Sequence, residues 1–119
     1  MGLDSYLKYI DSIHVIDDLT FHEDAEMVEF KYWRKHHPLH DWMKRLFLKK
    51  GGDYSANQFN CEYVRVTLED LEFLKNDMDW IDEMGDDYDH GYSDHEFINE
   101  AIDFLKMSPD KVFYFYSWY

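Results

Sequence analysis

The sequence predicts an α+β fold: a mainly antiparallel sheet of about four strands, with three helices packed mostly on one face, in a single domain spanning residues 1–119. Three observations predict it. Short runs rich in aromatic and β-branched residues recur at 3–10, 26–33, 59–66 and 112–119. Apolar residues recur at helical spacing in three other stretches, bounded by Pro, Gly or capping residues. The elements then follow in the order strands, helix, strand, two helices, strand, which layers most simply as a sheet with helices on one side.

The first strand is read in LDSYLKYI, residues 3–10, with His14-Val15-Ile16 extending it or opening a second short strand. Asp17-Asp18 and His22-Glu23-Asp24 read as loop. From Glu26 to Trp33 the period is two: Val28, Phe30 and Tyr32 fall on one face, and Met27, Glu29, Lys31 and Trp33 on the other. Pro38 suits the first turn of a helix, where its missing N–H costs nothing. Leu39, Trp42, Met43, Leu46 and Phe47 supply that helix with an apolar stripe, and Gly51-Gly52 stops it. The run FNCEYVRV, residues 59–66, is a further strand. Thr67 and Asp70 approximate a capping box for a helix whose stripe is Leu68, Leu71, Leu74, Met78 and Ile81. Residues 82–91 read as an acidic loop. Ser93 and Glu96 cap the last helix, which carries Phe97, Ile98, Ala101, Ile102 and Leu105 and ends near Pro109. The closing run VFYFYSWY has aromatic residues on both faces, which predicts a central strand.

Charge is unevenly spread. The chain has a formal charge of −14, yet residues 31–50 hold seven of its twelve Lys and Arg and a single acid, Asp41. That stretch is therefore +6, and the remaining 99 residues carry −20. An acidic balance argues against direct binding of nucleic acid, whose phosphates require Lys and Arg. It leaves solubility, or an anionic face for a basic partner. The aromatic content of 19% argues against disorder. The lone Cys61 can form no internal disulfide. No secretory pattern opens the sequence and no run reaches membrane-spanning length, so the expectation is a soluble intracellular protein with no membrane association.

At Tyr32-Trp33-Arg34-Lys35, Leu39-His40 and Trp42 the chain resembles a family of small phage and prophage proteins. They open with MGLD-aromatic-Leu, carry a YWRK-x-x-x-LH-x-W centre and end in an aromatic run closing on Ser-Trp. The corresponding pieces here are MGLDSYL (1–7), YWRKHHPLHDW (32–42) and FYSWY (115–119), with Asn60-Cys61-Glu62-Tyr63 on the strand before a capped helix. The chain departs from the pattern where relatives have Cys-Gly-Glu-Tyr, and where they carry a Phe-rich, Gly-ended turn before the last helix. The resemblance implies a phage origin and the host cytoplasm as the place of action. It brings no activity. The phosphoglycerate kinase label carried by some relatives conflicts with these residues: 119 of them cannot build two lobes, and no phosphate-binding glycine loop is present.

The candidate ligand site is the junction between the second strand and the first helix: Tyr32, Trp33, Arg34, Lys35, His36 and His40. A helix start beside a guanidinium suits an anion, and neighbouring rings suit a base. The competing structural reading makes Trp33 and Trp42 core, and pairs Arg34 and Lys35 with the surplus carboxylates. His36, His37 and His40 lack the spacing or partners of a metal site, so no metal or other cofactor is expected. Asp86 to Gly91 begins like a calcium loop, but Tyr88, His90 and Phe97 stand where ligands are needed. Residues 69–103 hold fourteen acids and one Lys, Lys75. Asp86, Asp87, Asp89 and Asp94 are the candidate contacts of an acidic, partner-binding face.

No catalytic motif stands out. Cys61 has only His40 as a conceivable base. The expected function is a non-enzymatic phage accessory protein that captures a nucleotide-like anion at the junction or inhibits a host protein. The alternatives are an acidic mimic of nucleic acid, and a small hydrolase or transferase in which Arg34 and Lys35 hold phosphate while His40 acts as acid or base.

Overall fold

A computed structural model describes residues 3–34, 36–52, 62–77 and 94–118. Its elements are strand β1 (Asp4–Asp11), a 3-10 turn (Ser12–His14), strand β2 (Val28–Arg34), helix α1 (His37–Lys49), strand β3 (Glu62–Val66), helix α2 (Leu68–Asn76), helix α3 (Asp94–Met107) and strand β4 (Lys111–Trp118). The four strands form one antiparallel sheet in the order β2-β1-β4-β3. This is the α+β architecture the sequence predicts, and β4 is central as its two aromatic faces require.

Alternation sorts β4 onto two faces. Phe113, Phe115 and Ser117 point to the helices; Val112, Tyr114, Tyr116 and Trp118 point away. The helix side carries the main core, where Leu7, Trp33, Val64, Val66, Phe113 and Phe115 of the sheet meet apolar side chains of all three helices. Burying one such side chain stabilises by about 1.5–3 kcal/mol, so this layer dominates stability. Among the described residues the opposite face is only part-covered. Phe21, Val15 and Met27, from the segment between β1 and β2, pack on Ile10, Val112 and Tyr114. His14-Val15-Ile16 is thus no second strand: it is the end of the 3-10 turn and a single bridge, Val15 to Phe21.

One expectation for β2 needs correction. Phe30 and Tyr32 do not share a face. A register shift between Leu7 and Lys8 inserts an extra residue in β2, so Phe30 packs on Phe104 and Phe113 while Trp33 also enters the core. Tyr32 is left on the open side with Tyr6.

The helix ends behave as read. Pro38 lies in the first turn of α1, and Gly51 stops it at φ 101°, a conformation costly for any other residue. Gly52 permits close approach, since a Cβ there would fall 2.3 Å from the Phe47 ring. Thr67 and Asp70 form the predicted capping box of α2. Leu71 and Leu74 are buried as expected; Met78 and Ile81, like Cys61, Ser93 and the acidic loop 82–91, lie outside the described residues.

Candidate functional site

The strand-to-helix junction is divided by the sheet. Trp33 has no exposed surface and packs edge-on against Phe97, ring centroids 4.7 Å apart. His36 is equally buried; its Nδ1 accepts the Leu39 N–H at 3.3 Å and caps α1. His40, 6% exposed, lies among the buried residues of the same helix. Arg34 follows Trp33 in the strand, so it points to the other face and is exposed. Tyr32 faces the same way and is half-buried. Lys35 lies outside the described residues. The five described residues of the six read as one site therefore separate: Tyr32 and Arg34 are on the open face, while Trp33, His36 and His40 build the core behind it.

The basic stretch disperses too. Lys31 pairs with Glu100 of α3 at 2.8 Å, and Lys44 with Asp41 at 3.8 Å. Lys50 donates to Asp70 Oδ2 and to the Arg65 carbonyl. Lys49 lies over the Phe73 ring, beside a groove of about 230 Å³ between α1 and α2 that Trp42, Arg45 and Asp77 also line. Among the described residues, Lys31, Lys44, Lys49 and Lys50 thus serve four separate local partners.

The open face of the sheet holds an arrangement that sequence reading missed. Tyr32 pairs with Tyr6, Tyr6 with Tyr116, and Tyr116 with Tyr63. Four tyrosines, one from each strand, thus stand in a single row across the sheet. Successive ring centroids are 5.0, 6.2 and 4.5 Å apart, with the rings tilted 44°, 43° and 33°. Lys8, in the row beneath, holds its ammonium 5.1, 5.3 and 5.9 Å from the Tyr6, Tyr116 and Tyr63 centroids. In the row above, Asp4 pairs with Arg34 on one side and Trp118 on the other. Trp118 is 46% exposed. The sequence signal was the alternation Asp4-x-Tyr6-x-Lys8 and Tyr114-x-Tyr116-x-Trp118, which marks one face of each strand.

Electrostatics tie the two upper rows together. The Tyr32 hydroxyl donates to Asp4 Oδ1 at 2.5 Å; that bond, with burial and the Asp4 charge, pushes its pKa up to about 12. Burial pushes the Tyr6 hydroxyl up, Asp4 and Glu29 add to it, and a side-chain hydrogen bond with Trp118 partly offsets them. Arg34 makes no hydrogen bond or ion pair among the described residues. It is an exposed fork of donors beside a neutral aromatic row.

Among the described residues no three His, Cys, Asp or Glu side chains gather in a way that could hold a metal ion. None of their helices is long and apolar enough to cross a membrane. Asp94 is the first residue of α3; Asp86, Asp87 and Asp89 of the acidic face lie outside the described residues. The hydrolase or transferase alternative needs His40 and Arg34 in one cleft, whereas His40 is buried on the helix side and Arg34 is exposed on the opposite face. Comparison with protein-family models, with curated proteins and with solved structures finds no match.

Proposed function

We propose that this chain is a non-catalytic binding protein that captures an anionic small molecule on the open face of its sheet, at the end marked by Arg34. The observation that carries this reading is the placement of Arg34. It is exposed, lacks a carboxylate partner among the described residues, and borders an aromatic row. A guanidinium is always charged and matches planar oxyanions with two parallel hydrogen bonds. The burial of Trp33 and His36 behind it gives that corner a rigid backing. The resemblance to small phage proteins supports a setting of conflict with, or takeover of, a host cell. Inhibition of a host protein through the acidic helices is the competing reading.

A thermal-shift panel of inorganic phosphate with mono-, di- and cyclic nucleotides tests the proposal. A ligand at one hundred times its Kd stabilises the native state by about 2.7 kcal/mol, a clear rise in melting temperature. The rise should fall to about half in Arg34→Gln, because a tenfold weaker Kd leaves about 1.4 kcal/mol at the same ligand concentration. A panel that moves nothing defeats the small-molecule reading and leaves the protein-partner reading.

A further inference from the structure

The row above the tyrosines has an internal order. Across β4, β1 and β2 it reads Trp118, Asp4, Arg34. These are an exposed indole, a carboxylate and an exposed guanidinium on the same face of three adjacent strands. Cα atoms of directly opposed residues lie about 4.5–5.5 Å apart, so the row spans on the order of 10 Å. Asp4 commits Oδ1 to the Tyr32 hydroxyl; among the described residues Oδ2 makes no hydrogen bond. One acceptor therefore stands between a stacking surface and an anion-binding fork.

We propose that this row is a nucleoside monophosphate subsite: Trp118 stacks the base, Asp4 Oδ2 accepts a ribose hydroxyl, and Arg34 holds the phosphate. The inference rests on the reading of Arg34 given above and names the ligand class for it. Each position matches one part of the ligand, in the ligand's own covalent order. Indole faces stack any base. A carboxylate is the usual acceptor for ribose hydroxyls at nucleotide sites. A guanidinium pairs with phosphate through two donors. Tyr6 and Tyr32 form the floor beneath.

Charge limits the ligand's length. On this face Lys8 already lies over three rings, and Arg65 stands in the same row as Lys8, beside Tyr114. The segment between β1 and β2 brings Asp17, Asp18, Glu23, Asp24 and Glu26, and the whole chain is at −14. A strand of several phosphates would meet one free guanidinium and then repulsion. A single nucleotide places its one phosphate at the guanidinium and its ribose, not its charge, at Asp4.

The test is equilibrium binding, by calorimetry, of the four ribonucleoside monophosphates, the matching nucleosides, inorganic phosphate, a 2′,3′-dideoxynucleoside monophosphate and octathymidylate. At least one ribonucleoside monophosphate should bind, with its nucleoside and inorganic phosphate each about tenfold weaker or more. Arg34→Gln should lose about tenfold while keeping the wild-type melting temperature. Asp4→Asn should narrow the preference for ribose over dideoxyribose. Inorganic phosphate binding as tightly as any nucleotide would overturn the base and ribose assignments while leaving anion capture at Arg34 intact. Octathymidylate binding more than tenfold tighter, with a salt dependence of several phosphates, would overturn the single-nucleotide limit. Nucleotide affinity unchanged in Arg34→Gln, or no binding by any probe, overturns both the subsite and the function proposed for Arg34.

Discussion

Lys50 Nζ donates to Asp70 Oδ2 at 2.5 Å, joining the end of α1 to the first turn of α2. The two side chains are only 12% and 13% exposed. The same carboxylate accepts the Thr67 N–H at 2.9 Å to complete the capping box, and the same ammonium donates to the Arg65 carbonyl at 2.6 Å. Lys50→Met would leave Asp70 charged and largely desolvated. Removing one partner of such a pair costs about 3–5 kcal/mol, less whatever the cap still provides. Urea unfolding should show a midpoint lowered accordingly with an unchanged slope. A midpoint equal to wild type would make the pair incidental.

The pH dependence of stability follows from the same residue. Burial pushes the Asp70 carboxyl up, but hydrogen bonds from Lys50 and Thr67, together with the Lys50 charge, outweigh it and hold the group below the usual carboxylate range. A carboxyl depressed in the folded state contributes stability above its unfolded value, near 4, and loses it as pH falls through the folded value. Asp11, held down by Lys111, and Asp17, held down by the Leu19 N–H, act in the same direction. Urea midpoints measured from pH 7 toward pH 3 should fall, and should fall less steeply in Asp70→Asn.

Neighbours in sequence should behave oppositely at the junction. Trp33 is fully buried, so Trp33→Ala should cost about 3–5 kcal/mol. Arg34 is exposed, so Arg34→Lys should stay within about 0.5 kcal/mol of wild type. His36→Leu removes the acceptor for the Leu39 N–H and should cost about 1–2 kcal/mol. Melting curves of the three variants check this ordering. A marked drop for Arg34→Lys would make Arg34 a residue of the fold.

Much of the fold was legible because local chemistry decides it. Thr67 with Asp70, Pro38, Gly51 and the apolar stripes act within one or two turns of chain. The central place of β4 was legible from aromatic residues on both its faces. The site was less so, because a cross-strand row depends on register. Tyr6 and Tyr116 meet only through the β1–β4 pairing, and no local pattern states that pairing. The division of Trp33 from Arg34 follows from alternation, but which of them enters the core depends on the shift between Leu7 and Lys8.

Tyr32 offers a last test, one that reads the open face without any ligand. Its hydroxyl donates to Asp4 Oδ1, and the bond, burial and the Asp4 charge push its pKa to about 12, above the ordinary value of 10.0. Tyr114 also rises to about 12, with burial as the main cause; its hydroxyl donates to the Asp17 carbonyl at 2.8 Å. A tyrosine raised in the folded state contributes stability that is complete below its unfolded value and is lost as pH climbs through the folded one. Stability should therefore decline between about pH 10 and pH 12. Tyrosinate absorbance should show a late-ionising fraction in the native protein. Tyr32→Phe should remove part of that fraction and flatten the alkaline decline, with Tyr114 and Tyr6 accounting for what remains. It also releases Asp4, so the carboxylate flanked by Arg34 and Trp118 gains a second open oxygen. If Tyr32→Phe leaves the alkaline titration unchanged, the Tyr32–Asp4 bond is not formed in solution, and the fixed acceptor between the indole and the guanidinium is lost with it.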